Sequence, residues 1–81
     1  MRPETAVWWR QVQADMEAAG RLMSAPTYFA ASWFLQQAVE KGLKALLLEG
    51  SGAAPPRTHN LEDLGRRVQA PEQVMAELNV L

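Results

Sequence analysis

Hydrophobic residues along this chain recur mainly at every third or fourth position, a spacing that predicts helices. The longest such pattern covers residues 27–50, contains no proline, and is rich in Ala, Leu, Gln, Glu and Lys, which favour helices. Ser24 and Thr27 are candidate N-caps on either side of Pro26. Gly50 is the candidate left-handed residue that ends the helix. The other elements are expected to pack around this helix.

Five polar residues of this long helix lie together in the middle of one side. At about 100° per residue they share an arc of roughly 140°, and they are Gln36, Gln37, Glu40, Lys41 and Lys44. Trp33 lies on the line of this polar arc one turn before it, and Leu47 and Leu48 close it one turn after. A surface helix normally keeps its polar side in water along its whole length. We therefore expect the helix to be covered on most sides, with the polar arc in a groove or against a partner.

A second amphipathic pattern predicts a first helix over residues 4–23. Its apolar residues fall within an arc of roughly 80°, and they are Trp8, Val12, Met16, Ala19 and Met23. Thr5 is a candidate cap at its start, and the step from Ala25 to Pro26 predicts its end, because proline disfavours a helical conformation in the preceding residue. Trp8 and Trp9 are interpreted as core and core edge, with a partner surface as the alternative. The short connection predicts an antiparallel hairpin with the long helix.

The second half of the chain predicts an exposed loop and two shorter helices. Residues 51–57 combine Gly, Ala and two adjacent prolines, which is typical of a stiff connector. A third helix is predicted over residues 58–68, where Asn60 and Asp63 resemble a capping box. Pro71 can open a fourth helix, with an apolar side formed by Val74, Met75, Leu78 and Leu81. The predicted fold class is all-α, an antiparallel helical hairpin extended to a small up-down helical bundle.

Composition narrows the classes of function. The 81 residues make a single domain, and the chain has no cysteine and one histidine, which excludes disulfides and an ordinary zinc site. The formal net charge is −1, so nucleic-acid binding would need a local basic cluster. No apolar run reaches the roughly 18 residues of a membrane span, and no signal-peptide core is present. We expect a cytoplasmic protein that does not contact a membrane.

Two sequence elements carry a family resemblance. One is the series Gln37-Ala38-x-Glu40-Lys41-x-Leu43-Lys44-Ala45, and the other is Thr58-His59-x-Leu61-x-x-Leu64 after the loop. Together they resemble the prokaryotic branch of the HEPN domains, named for "higher eukaryotes and prokaryotes nucleotide-binding". The similarity covers residues 8–68 and implies a HEPN-like helical bundle over the whole chain.

The resemblance implies a partner and a mode of action. HEPN domains of this kind are paired with a small nucleotidyltransferase in toxin–antitoxin-like modules, where they act on RNA, bind nucleotide or are targets of the partner. Active HEPN ribonucleases resemble one another in a motif of Arg, four to six residues, then His. The positions that would hold this Arg before His59 are Gly52, Ala53 and Ala54. The metal-independent ribonuclease signature is therefore absent from these residues, no catalytic residue is assigned, and only an Arg-then-His pair beyond Leu81 would restore that interpretation.

The candidate ligand-binding residues are Lys41, Lys44, Arg57 and His59. The two lysines belong to the polar arc and Arg57 lies two positions before His59, so together they would surround an anion. In the HEPN interpretation they line a dimer groove that binds nucleotide or RNA. The alternative for His59 is a hydrogen bond to backbone at the start of the third helix. No metal, no cofactor and no DNA-specific contact are expected.

A second interpretation of function is a non-catalytic helical dimerisation or interaction module with no ligand of its own. The polar arc would then be an ion-pair cluster within the dimer. A HEPN member of the usual length would continue for one or two more helices, so the chain is either naturally short or shortened. Both alternatives leave apolar surface uncovered, which favours a homodimer or exchange of helices between chains.

Overall fold

The computed structural model describes residues 1–24 and 26–81. The elements are α1 (Pro3–Arg21), α2 (Tyr28–Ser51), α3 (Leu61–Arg67) and α4 (Glu72–Val80). No strand occurs in these two ranges, and the predicted all-α class is confirmed. The long helices α1 and α2 pack against each other along their length, α3 packs on α2, and α4 packs on α3.

The core lies where α2, α3 and α4 meet. Its centre is Leu64, which is completely buried, together with Leu43 and Leu78. Five partly buried apolar residues surround this centre: Val39, Leu47, Leu61, Val68 and Met75. The apolar side predicted for the fourth helix is buried at Leu78 and half-buried at Met75, whereas Val74 and Leu81 are exposed.

Several predicted helix ends differ from the structure. Thr5 is wrong as a cap, because α1 begins at Pro3 and places Thr5 inside the helix, buried against its neighbours. Gly50 is wrong as the terminator of α2. The helix continues to Ser51, and Gly52 takes the left-handed conformation with φ 74° while its N–H donates to Leu48 O at 2.7 Å. Glycine suits this position because it has no Cβ to clash.

The start of α2 also differs in detail from the capping prediction. Thr27 occupies the position before the helix, but its hydroxyl donates to Leu22 O at 2.9 Å and to Ser24 O instead of accepting from the helix. The hydroxyl therefore closes the turn between the two long helices. The predicted effect of Pro26 on Ala25 lies outside the described residues.

Half of the predicted capping box of α3 is confirmed: Asn60 is the N-cap, but the helix starts at Leu61 and not at residue 58, and the Asp63 carboxylate pairs with Arg67 instead of the Asn60 N–H. Asn60 Oδ1 accepts from the Asp63 N–H at 2.9 Å, which satisfies one of the free donors at the helix start. Thr58 contributes one residue earlier, where its hydroxyl oxygen accepts from the Asn60 N–H at 3.1 Å. These two contacts fix the path of the loop into α3.

The expectation that α2 is covered on most sides holds for residues 36–48, where every residue except Leu46 is buried or half-buried. Glu40 and Lys44 are buried, and the other three members of the arc are half-buried beneath α1 and the 52–60 loop. The N-terminal end of α2 is open, and Phe29 is 77% exposed. In the predicted stripe of α1, Val12 and Ala19 are buried, but Met16 and Met23 are exposed, since no element covers the hairpin at this end. None of the helices in the described ranges has the length and apolar character needed to cross a membrane.

Candidate functional site

Glu40 is the centre of a polar cluster between α2 and the loop that leads to α3. Its Oε2 atom lies 3.2 Å from Lys44 Nζ one turn along α2 and 2.9 Å from His59 Nδ1 on the loop. The Glu40 and Lys44 side chains are 9% and 7% exposed. A buried charge needs a partner of opposite sign. The four-residue spacing on one helix supplies that partner locally.

Lys44 and Lys41 are both held by groups of their own chain. Lys44 Nζ lies 5.9 Å from the ring centroid of Trp8, within the range of a cation–π contact. Lys41 Nζ bonds to Asp15 Oδ2 at 2.7 Å across the α1–α2 interface, with both side chains largely covered. The positive charges of the polar arc are therefore balanced inside the chain.

His59 and Arg57 are the candidate residues that face solvent. The His59 side chain is 80% exposed although its Nδ1 atom is fixed by Glu40. An ionised carboxylate can only accept hydrogen bonds, so Nδ1 donates and the opposite ring nitrogen is left toward solvent. Arg57 is exposed, and among the described residues it has no ion pair or hydrogen bond through its side chain. The hydrogen-bond partner of His59 is the Glu40 side chain, and not the backbone group given as the alternative.

A cavity of about 260 Å³ lies beside this cluster. Its walls come from α2, the loop, α3 and the end of the described chain: Gln36, Gln37, Glu40, His59, Leu61 and Leu81. Gln36 Nε2 donates to Leu81 O at 2.8 Å across it. Two amides, a carboxylate and an imidazole form hydrogen bonds with a small polar ligand readily. Within residues 1–24 and 26–81, no group of three or more His, Cys, Asp or Glu side chains has the arrangement of a metal site.

The four predicted site residues are only partly brought together. Glu40, which was assigned to the polar arc and not to the site, links Lys44 to His59, whereas Lys41 turns toward α1. Asp15, which pairs with Lys41, and Trp8, whose ring contacts Lys44, were not among the predicted site residues. The sequence does show an acidic residue, Asp15, beside the apolar stripe of α1. Only the packed hairpin shows that its partner on α2 is Lys41.

A second polar contact joins the start of α1 to the end of α2. The Arg2 N–H donates to Glu49 Oε1 at 2.8 Å, and Arg2 Nε donates to Glu49 O at 3.1 Å. The bond from the Arg2 N–H is the main cause that lowers the pKa of Glu49 below 4.5. The Thr5 hydroxyl is buried and has no hydrogen-bond partner among the described residues. The Arg2 guanidinium also lies over Gly52, where an added Cβ would be 2.8 Å from Nη1.

An apolar surface lies at the end of the α1–α2 hairpin that is far from the contact between Arg2 and Glu49. A groove of about 460 Å³ runs between α1 and α2 there, lined by Met16, Ala19, Gly20, Met23, Tyr28, Ala31, Ser32 and Leu35. Tyr28 lines the groove, and Phe29 and Trp33 lie at the same end of α2 outside the groove lining; each of the three is more than half exposed. The rings of Tyr28 and Phe29 lie 4.8 Å apart between centroids. We call these three side chains and the groove the aromatic surface.

Comparisons with known proteins give one match. No curated protein and no solved structure matches the chain. Among protein families, the HEPN domain matches residues 5–81, which include all four helices except the first two residues of α1. The resemblance of the α2 series and of the Thr-His element, and the all-helical structure, agree with this match. The chain belongs to the HEPN domain family.

Proposed function

We propose that this HEPN domain functions through association, as a homodimeric interaction module whose interface is the aromatic surface. The observation that carries the proposal is the exposure of Tyr28, Phe29 and Trp33 at the end of α2 that also forms one wall of an apolar groove. Aromatic residues and methionine are enriched in protein interfaces, and charged residues are depleted from interface centres. No charged residue occurs in the sequence from position 22 to position 39.

Two copies can complement each other at this surface. The groove lining contains the small residues Ala19, Gly20 and Ala31, while Phe29 and Trp33 are exposed at the same end of α2 outside it. In a two-fold symmetric dimer the same patch serves both subunits, so projecting rings of one copy would fill the groove of the other. Large exposed apolar patches of this kind favour association in water.

Sedimentation equilibrium tests the dimer directly. We expect the wild type to dimerise, and Phe29→Lys or Trp33→Lys to weaken dimerisation at least about a hundredfold, because a charge would be buried at the interface. Val80→Lys is the matched control, since Val80 is also an exposed apolar residue but lies on α4. A monomeric wild type, or equal dimerisation by Phe29→Lys and Val80→Lys, contradicts the proposal.

The partner that we propose for the dimer is a small nucleotidyltransferase in a toxin–antitoxin-like module. The support for this partner is family membership together with the absence of an Arg-then-His spacing before His59. Affinity purification of the native protein from its own cells would recover such an enzyme in near-equal amount. Recovery of the HEPN chain alone would contradict the proposed nucleotidyltransferase partner but not the proposed homodimer.

A second candidate function is contact with a phosphate-bearing ligand, a nucleotide or RNA, at Arg57 and His59. The supporting observation is that Glu40 fixes the exposed imidazole while the Arg57 guanidinium, two positions away, is free of the ion pairs described above. Lys41 and Lys44, the other two predicted ligand residues, are bound to Asp15 and Glu40 and are left out of this candidate. An exposed guanidinium recognises phosphate oxygens through charge-assisted hydrogen bonds.

Fluorescence polarisation with labelled short RNA and with a labelled adenine nucleotide tests this second candidate. Arg57→Ala/His59→Gln should lose at least about tenfold in affinity and flatten the dependence of affinity on salt. Arg21→Ala is the matched control, because Arg21 is an exposed arginine far from the cavity that pairs only with Glu17. Equal binding by the two variants contradicts a site at Arg57 and His59.

A further inference from the structure

We propose that α4 exchanges between two copies of the chain, so that α4 of each subunit packs on α2 and α3 of the other. This inference concerns a different surface from the aromatic surface and does not rest on the proposed function. Three observations carry it: a closely fitting seat for α4, a strained connection before α4, and the cavity wall that α4 supplies.

The seat for α4 is a notch at Gly65. A Cβ atom on Gly65 would lie 2.6 Å from Leu78 Cδ1 and 2.7 Å from Met75 Sδ. Leu78 continues from this notch into the core beside Leu43 and Leu64. The seat is specified by residues that precede the α3–α4 connection, so α4 from a second copy finds the same contacts there. Exchange of an identical element preserves these contacts and adds those between the subunits.

The connection that would open is short and strained. Only residues 68–71 separate α3 from α4. Gln69 has φ 57°, the left-handed region in which a residue with a Cβ is strained and which glycine usually occupies at helix ends. Ala70 precedes Pro71 and is therefore biased toward extended backbone. Short hinges under strain favour exchange of the following element, because extension of the hinge relieves the strain.

Exchange would also change which subunit completes the cavity beside His59. Leu81 O accepts the Gln36 amide and lines the cavity that contains Glu40 and His59. After exchange that wall comes from Leu81 of the partner subunit. In the exchanged dimer each cavity would then be built from two copies of the chain.

Thiol cross-linking distinguishes the two arrangements, and the chain has no cysteine of its own. In the double variant Gln36→Cys/Leu81→Cys, a short bismaleimide links the two thiols within one chain if α4 stays on its own seat. It links two chains if α4 is exchanged. We expect a covalent dimer whose yield rises with the protein concentration during refolding. Gln69→Gly on this background should lower that yield about fivefold, because glycine relieves the strain of the closed hinge.

Two controls keep the experiment decisive. Asp15→Cys/Lys41→Cys pairs α1 with α2 on the same side of the hinge and should give only links within a chain. If the double variant fails to fold by circular dichroism, an equimolar refolded mixture of the two single variants replaces it. A link between position 36 of one chain and position 81 of another then reports exchange. Links only within chains at every concentration, or no such pair in the mixture, overturn the proposal, even where sedimentation shows a dimer through the aromatic surface.

Discussion

Glu40 Oε2 lies 2.9 Å from His59 Nδ1, and this contact ties the middle of α2 to the loop that leads into α3. The same oxygen accepts from Lys44 Nζ at 3.2 Å. One buried carboxylate therefore neutralises a buried lysine and orients an exposed imidazole. The stability of the domain and the geometry of its candidate site depend on the same group.

Replacement of Glu40 by Gln should lower the free energy of unfolding by about 3 kcal/mol, since it leaves the buried Lys44 ammonium without a counter-charge. Urea denaturation measures this change. Glu17→Gln removes an exposed partner of Arg21 and should change the same quantity by less than about 0.5 kcal/mol. Glu40→Leu/Lys44→Leu should be more stable than Glu40→Gln, because it removes both buried charges. A Glu40→Gln variant as stable as the Glu17→Gln control would contradict the burial of this pair.

Two glycines should respond to alanine with opposite signs. Gly65→Ala should destabilise by about 1–2 kcal/mol, because its Cβ meets Leu78 and Met75 in the core. Gly42→Ala should stabilise by about 0.5–1 kcal/mol, since the nearest atom to its Cβ is Val12 Cγ2 at 4.0 Å and alanine favours the helix. Thermal unfolding of both variants gives the comparison. A stabilising Gly65→Ala would show that Leu78 and Met75 leave room for a Cβ atom at this position.

The cap at Asn60 should contribute measurably to the stability of the α3 region. Asn60→Ala removes the acceptor for the Asp63 N–H and should lower the free energy of unfolding by about 1 kcal/mol. Asn60→Asp keeps an acceptor at this position and serves as the control. Equal losses for the two variants would argue against the capping bond.

Acid should weaken the contact between Arg2 and Glu49. Because the folded-state pKa of Glu49 is lowered, its contribution to stability is present above the ordinary value of 4.5 and is lost as the pH falls through the folded-state value. The difference in unfolding free energy between wild type and Glu49→Gln should therefore be constant near neutral pH and decrease on acidification below pH 4.5. Carbon-13 NMR of the Glu49 carboxyl provides a direct measurement, and a titration midpoint at or above 4.5 would contradict the contact.

The sequence predicted most of the secondary structure because helix formation is governed by local spacing. Four helices, the antiparallel hairpin and the Asn60 cap follow from residues within about one turn of each other. The errors lie at helix ends. Gly50 and Gly52 are both glycines near the end of one apolar pattern, and the structure places the left-handed residue at Gly52, whose N–H donates to Leu48 O. The spacing of apolar residues does not distinguish two glycines that lie two positions apart.

By itself, the sequence determined the all-α class, the family, the polar arc of α2 and the missing Arg-then-His spacing. Only the tertiary structure decided how the charges pair. Lys41 meets Asp15 from 26 positions away, His59 meets Glu40 from 19, and Arg2 meets Glu49 from 47. The attraction between two charges depends on their distance in space and not on their separation along the chain. The packing of the hairpin therefore decides which carboxylate a lysine reaches. That packing assigned Lys41 and Lys44 to internal pairs and left Arg57 and His59 facing solvent.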